Sequence, residues 1–132
     1  GTPAGMKRAK LISVTQLTST TEEQMQQQQK ISLSLLESVL NYASITKQAD
    51  LDGVVCSVHE ANVIRNQCGE DFLRVTPGIR LAGGEIHDQK RIATPDVARR
   101  DGSSLIVVGR AITNAKDPVE AYKTVSELWE EN

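Results

Sequence analysis

The sequence predicts an α/β fold of repeated strand and helix units with parallel strands. Three observations carry this. Short runs of aliphatic and β-branched residues occur four times in the 132 residues, at 10–17, 53–57, 72–76 and 104–108. Each run is followed by helix-start signals or by apolar residues at helical spacing, and the distances between runs are those of βα units. Aromatic residues make up only 3% of the chain, so its core must be built of Val, Ile, Leu and Ala, which suits buried parallel strands.

Taken in order, residues 10–17 (KLISVTQL) form the first strand and end in Thr18-Ser19-Thr20-Thr21. Thr20 and Glu23 have capping-box spacing, which starts a short helix through the glutamine-rich residues 22–29, a solvated face. Ser34 and Glu37 repeat the box, and Leu33, Leu36, Leu40 and Ala43 give an amphipathic helix that ends near Ala49. Residues 51–53 turn into the second strand. Ser57 and Glu60 make a third capping box, so that strand passes directly into a helix over residues 58–67. The third strand, 72–76, leads into a long polar loop at 77–93, and loops of this length in compact domains are commonly functional. Thr94 and Pro95 restart a helix. After the fourth strand, residues 109–113 make a tight connection, and Asp117-Pro118 with Glu120 opens the last helix.

Bulk properties exclude several classes. One domain spanning 1–132 is expected from the length. A formal charge of -2 and few aromatics argue against nucleic acid, and Lys7, Arg8 and Lys10 read as a solvated cluster. No long apolar segment or signal peptide is visible, so a cytoplasmic protein with no membrane role is expected, its two cysteines, Cys56 and Cys68, reduced. Neither they nor His59 and His87 have metal-ligand spacing, and no metal is expected. Cys56 reads as core packing. The start, Gly1-Thr2-Pro3-Ala4-Gly5 with Met6 inside, reads as a cut through a longer protein.

Two strand ends carry the functional signal. Val75-Thr76-Pro77-Gly78-Ile79-Arg80 and Leu105-Ile106-Val107-Val108-Gly109-Arg110 each run from apolar residues into glycine and arginine. Ligand crevices of α/β sheets lie past the carboxyl ends of strands, arginine presents a fork of donors matched to phosphate, and glycine lets backbone N–H groups approach. A single Gly-Arg is more simply a turn with a solvated charge; two on successive strands point to an anion, phosphate foremost. If right-handed crossovers place the helices on one side, the arrangement is that of a (β/α)8 barrel, in which phosphate sites recur after the last two strands. Only four units are present, which implies a missing half, a second copy in its place, or an open doubly wound sheet instead. Residues 109–113 have the length of the short phosphate-site helix, and 80–94 would form a lid.

The segments Val14-Thr15-Gln16-Leu17-Thr18-Ser19, Asp52-Gly53-Val54-Val55-Cys56-Ser57, Val75-Thr76-Pro77-Gly78-Ile79-Arg80, Asp88-Gln89-Lys90-Arg91 and Val107-Val108-Gly109-Arg110 together resemble the C-terminal half of bacterial orotidine 5'-monophosphate decarboxylases, and the resemblance spans essentially the whole chain. It implies a (β/α)8 TIM barrel of which this chain supplies the C-terminal four βα units. It also implies a cytoplasmic homodimer that converts orotidine monophosphate to uridine monophosphate in pyrimidine biosynthesis, with no cofactor. Thr18 then matches the residue that contacts the pyrimidine. Arg80, Gln89, Gly109 and Arg110 match substrate-binding positions, with Gln89 on the closing loop and Arg110 gripping phosphate, and Pro77 begins the gripping loop. The family's Lys-Asp-Lys-Asp array rests largely on an Asp-x-Lys-x-x-Asp motif that this chain lacks: Asp88-Gln89-Lys90 comes nearest, but Ala93 stands where the second aspartate is required. No residue here is therefore expected to be catalytic. The expected partners are the nucleotide and either the N-terminal half of the barrel or a second copy. The alternative is a non-catalytic phosphate-binding half-barrel that self-associates. Related sugar-phosphate decarboxylases are a third reading, disfavoured by the Thr18 and Gln89 matches.

Overall fold

The computed structural model describes residues 1–83 and 91–130. Strands β1 (Ile12–Val14), β2 (Gly53–Val55), β3 (Leu73–Thr76) and β4 (Leu105–Ile106) form one sheet in the order β1-β2-β3-β4, and every neighbouring pair is parallel. A doubly wound sheet reverses its strand order at a switch point; this one runs consecutively, so the open doubly wound alternative falls away. The strands are shorter than their apolar runs. The ladder nevertheless continues past them, with Thr15 N–H donating to Val55 O (3.2 Å), Cys56 N–H to Val75 O (3.0 Å) and Val107 N–H to Thr76 O (3.0 Å).

The helices are α1 (Glu22–Gln28), α2 (Leu35–Gln48), α3 (Val58–Cys68), α4 (Pro95–Arg100), α5 (Arg110–Thr113) and α6 (Pro118–Glu130). At α2 the capping box of Ser34 and Glu37 forms in both directions, and at α6 Glu120 N–H donates to Asp117 Oδ1. Two other expected starts differ. The box of α1 is made by Thr21 and Gln24, one residue later than the Thr20 and Glu23 spacing indicates, because Thr20 N–H is already bonded to Leu17 O in the preceding turn. At α3, Ser57 is the N-cap but makes no side-chain cap bond, and Glu60 is bonded elsewhere. Thr94 is the N-cap position of α4 with Pro95 following it, as expected, though like Ser57 it makes no side-chain cap bond.

Side-chain alternation divides the sheet into two unequal faces. On one, Val54 and Cys56 pack with Val39 and Ala43 of α2 and with Ala61, Ile64 and Cys68 of α3. A second cluster joins Val58, Ile79 and Ala98 to Ile106, Val108 and Trp129. Full burial of a Val or Ile side chain such as Val54, Ile64 or Ile79 contributes about 1.5–3 kcal/mol. Among the described residues the opposite face is covered only at its centre, where Val75 is buried and Val55 partly so. Ile12 and Val14 on β1 are 40% and 56% exposed, and Leu105 and Val107 at the β4 edge are 53% and 51% exposed. The register aligns Val14, Val55, Val75 and Leu105 across all four strands, so the apolar strip is continuous. The strip is exposed at its two edges, Val14 and Leu105, and contiguous exposed apolar surface of this kind is a feature of interaction sites.

The basic cluster near the start is more specific than a solvated patch. Arg8 donates to both carboxylate oxygens of Asp52 at 2.8 Å, and Leu11 N–H donates to Asp52 Oδ2 at 2.7 Å, so Asp52 is an anchor for the entry to β1 and not only a turn residue. The Arg8 hydrogen bonds, the Leu11 N–H and the charges of Arg8 and Lys10 hold its carboxyl below the ordinary range. A group depressed in the folded state stabilises above the unfolded-state value, near 3.9, and that contribution disappears as pH falls through the folded value. Asp52→Asn is accordingly expected to shrink the acid-induced loss of stability below about pH 4. Unfolding midpoints measured from pH 7 to 2 for both proteins check this, and parallel curves would contradict it.

Candidate functional site

The residues singled out at the carboxyl ends of the strands lie along one end of the sheet. Thr18, 5% exposed, sits in the turn after β1; Pro77, Gly78, Ile79 and Arg80 follow β3; Gly109 and Arg110 follow β4. Neighbouring strands are about 4.8 Å apart, so β1 is roughly 10 Å from β3 and about 14 Å from β4. The arrangement therefore sets a threonine at one end and two turns carrying glycine and arginine at the other, and does not gather them into one cluster. Gln89 lies outside the described residues, as do His87, Asp88 and most of the expected lid.

After β3 the chain takes Gly78 through φ +77°, a conformation that favours glycine, and Arg80 N–H then bonds Ala93 O (2.9 Å) while Ala93 N–H bonds Gly78 O (3.0 Å). This parallel bridge between Ile79 and Ala93 closes the base of the long loop. Ile79 is fully buried in the second core cluster, which fixes where the Arg80 backbone stands. The Arg80 side chain is 7% exposed, and its Nη1 donates to Ile79 O at 2.8 Å. It is not a solvated charge at a turn. At the other arginine, Gly109 caps α5, and the carbonyl of Gly109 accepts from Ile112 N–H (2.9 Å) and Thr113 N–H (3.1 Å), so the short helix expected here forms. Arg110 is its first residue and is half-buried.

Below this end, buried polar side chains are structural. Arg74, 3% exposed on β3, donates to the carbonyls of Gly102, Glu70, Phe72 and Gly69. Thr76 Oγ1 lies 2.8 Å from Ser103 Oγ. Burial pushes the Cys56 thiol up to about 12, against the opposing charges of Arg74 and Arg91, so it stays protonated and packs. His59 is exposed on α3. Among the described residues no group of His, Cys, Asp and Glu could hold a metal ion, and no helix is long and apolar enough to cross a membrane.

Residue reading alone missed a contact at this end of the sheet. Arg91 pairs with Glu60 and also donates to the carbonyls of Gln16 (3.3 Å) and Leu17 (2.8 Å). Nothing local announces it, since the partners are up to 75 residues apart and Glu60 carries the signature of a helix cap.

Comparison with known proteins bears directly on this arrangement. The model of the family described as Orotidine 5'-phosphate decarboxylase / HUMPS matches residues 2–125. An orotidine 5'-phosphate decarboxylase of Lysinibacillus sphaericus is 76% identical over 130 residues, covering 98% of this chain and 56% of the relative. One from Ligilactobacillus salivarius is 56% identical, covering 96% of this chain and 54% of the relative. The crystal structure of orotidine 5'-phosphate decarboxylase from Lactobacillus acidophilus superposes with a TM-score of 0.80 at 42% identity, covering 98% of this chain and 53% of that one. The chain thus spans about half the length of the curated relatives it matches, and its four consecutive parallel βα units are half of a TIM barrel. By its sequence and its fold, this chain belongs to the orotidine 5'-phosphate decarboxylase / HUMPS family.

Proposed function

We propose that residues 1–132 are the C-terminal half of an orotidine 5'-phosphate decarboxylase barrel, the half that binds substrate and its phosphate in the conversion of orotidine monophosphate to uridine monophosphate and CO2. The observation that carries the reading is the spacing of the strand ends. A pyrimidine nucleotide laid along them meets Thr18 with its base and reaches Arg80, Gly109 and Arg110 with its phosphate. Pro77 sets the course of the turn that leads to Arg80, and Gln89 reaches the ligand from the loop between them. Two guanidinium groups at the β3 and β4 ends suit a phosphate dianion, which accepts paired N–H donors.

In this assignment the half-barrel holds, orients and partly desolvates the nucleotide. The chemistry needs a positioned ammonium next to the carbanion that forms as CO2 leaves, and the Asp-x-Lys-x-x-Asp motif that would supply it is absent from the sequence. The complementary half supplies it and covers the apolar strip of β1 to β4. The assembled enzyme works as a homodimer in the cytoplasm.

The phosphate role is tested by comparing uridine monophosphate with uridine. Arg110→Ala is expected to weaken the monophosphate by roughly ten-fold or more, the effect of losing a charge-assisted hydrogen bond, and to leave the nucleoside nearly unaffected. Equal losses for both ligands would refute the assignment.

A second reading rests on the exposed Ile12, Val14, Leu105 and Val107: a non-catalytic phosphate-binding half-barrel that covers this strip with another copy of itself. Sedimentation velocity separates the two, since a stable, soluble homo-oligomer of this chain alone favours the second.

A further inference from the structure

The contact between Glu60 and Arg91 is not used by the nucleotide reading, yet it connects three of the segments that build the site. Glu60, 4% exposed in the first turn of α3, accepts from Arg91 Nη1. Arg91 Nη2 donates to the carbonyls of Gln16 and Leu17, and the Arg91 backbone N–H donates to Thr18 O at 3.3 Å. Two residues later the chain enters the bridge in which Ala93 O holds the backbone N–H of Arg80. One arginine therefore ties the turn after β1 to the start of α3, and lies beside the bridge that follows β3.

Stability is a poor explanation for this pair. Two apolar side chains of similar volume generally hold a fold as well as a buried ion pair does. An ion pair with a planar fork adds direction: Glu60 fixes the guanidinium plane, and that plane fixes two carbonyls of the turn carrying Thr18. The local helix bonds are given up for it. Ser57 and Glu60 have the spacing of a capping box, but the carboxylate serves Arg91, and Ser57 Oγ, Glu60 Oε2 and Arg91 Nε have no hydrogen-bond partner among the described residues. A region that leaves its nearest partners unsatisfied to make a contact 31 residues away is built for geometry.

We propose that Arg91, oriented by Glu60, is a positioning residue that holds the Thr18 turn where it can meet the pyrimidine of a bound nucleotide. The inference rests on the nucleotide reading above for its ligand, but the brace itself can be observed without one. Thr20 N–H donates to Leu17 O, the carbonyl that Arg91 also takes, so exchange at this amide reports the order of the turn.

The experiment compares the chain with Arg91→Lys and with the double variant Glu60→Leu, Arg91→Met. Its readouts are the unfolding midpoint, hydrogen exchange at Thr20, and NMR titration with uridine monophosphate and with uridine. Both variants are expected to fold. Exchange at Thr20 should quicken by roughly ten-fold, and both ligands should weaken by a common factor of roughly ten, the effect of about one lost hydrogen-bonded contact. A common factor distinguishes this from Arg110→Ala, which acts on the monophosphate. Arg91→Lys keeps the charge for Glu60 but cannot span both carbonyls, so it shows the same pattern and decides the matter if the double variant fails to fold. Unchanged Thr20 exchange in a folded variant overturns the brace. Faster exchange with undiminished affinity for both ligands overturns the positioning role. If the unsubstituted chain binds neither ligand, the nucleotide reading fails and the positioning role fails with it, while exchange at Thr20 still judges the brace.

Discussion

The chain alone is expected to release no CO2 from orotidine monophosphate, and to do so when combined with a complementary half that carries Asp-x-Lys-x-x-Asp. Removing one pre-organised donor from an active site costs about 10²–10³ in rate. Here the Asp-x-Lys-x-x-Asp motif on which the family's lysine and aspartate array largely rests is absent from the sequence, so no measurable turnover should remain. The apolar strip supplies the reason why recombination should work. Val14 and Leu105 lie at the two edges of a continuous row, both more than half exposed, and each edge presents backbone groups to a further parallel strand. A partner half that pairs with both edges buries the strip and brings its own array opposite Thr18 and Arg110. Radiolabelled CO2 release from the chain, from the other half and from the mixture measures this. Clear turnover by the chain alone would sink the division of labour proposed above.

Gly53→Ala is expected to lower stability by about 1–3 kcal/mol or to prevent folding. Gly53 opens β2 at the centre of the sheet, paired with Ile12 on one side and Leu73 on the other. A methyl group placed on it would stand 2.5 Å from Leu73 Cβ and 2.8 Å from the Leu73 carbonyl carbon, with the carbonyl oxygen nearer still. Two of those atoms are backbone, so no rotamer change relieves the clash and β2 must move away from β3. For a domain of this size a loss of 1 kcal/mol lowers the unfolding midpoint by about 4 °C, so a fall of about 4–12 °C is anticipated. Gly109→Ala is the control, because a methyl group there meets nothing within 4 Å. Equal midpoints for the two variants would show that the sheet opens more readily than its packing implies.

Much of this architecture is legible in the residues. The aliphatic runs and their helix-start signals locate all four strands, because a strand buried among helices must be apolar along its length and a helix must satisfy its first N–H groups. Ser34 with Glu37 shows how local such a signal can be: both partners lie within one turn, so the spacing is the structure. Ser57 with Glu60 has the same spacing and a different outcome, since a guanidinium from Arg91 competes for the carboxylate more strongly than a backbone N–H does. Thr20 and Thr21 differ because the turn that ends at Thr20 had already taken its N–H.

The same division runs through the site. By itself the sequence determined the parallel βα order, the two strand ends carrying glycine and arginine, the absence of an Asp-x-Lys-x-x-Asp motif and, by resemblance, the family. These are properties of short segments or of composition, and no distant partner alters them. Tertiary structure alone decided that the strands run consecutively, that one face of the sheet leaves apolar side chains exposed at both edges, that Asp52 anchors Arg8, and that Glu60 turns from capping its own helix to orient Arg91 beside Thr18. Each of those depends on which residues the fold brings together across tens of positions, where competition between partners is settled by distance and burial.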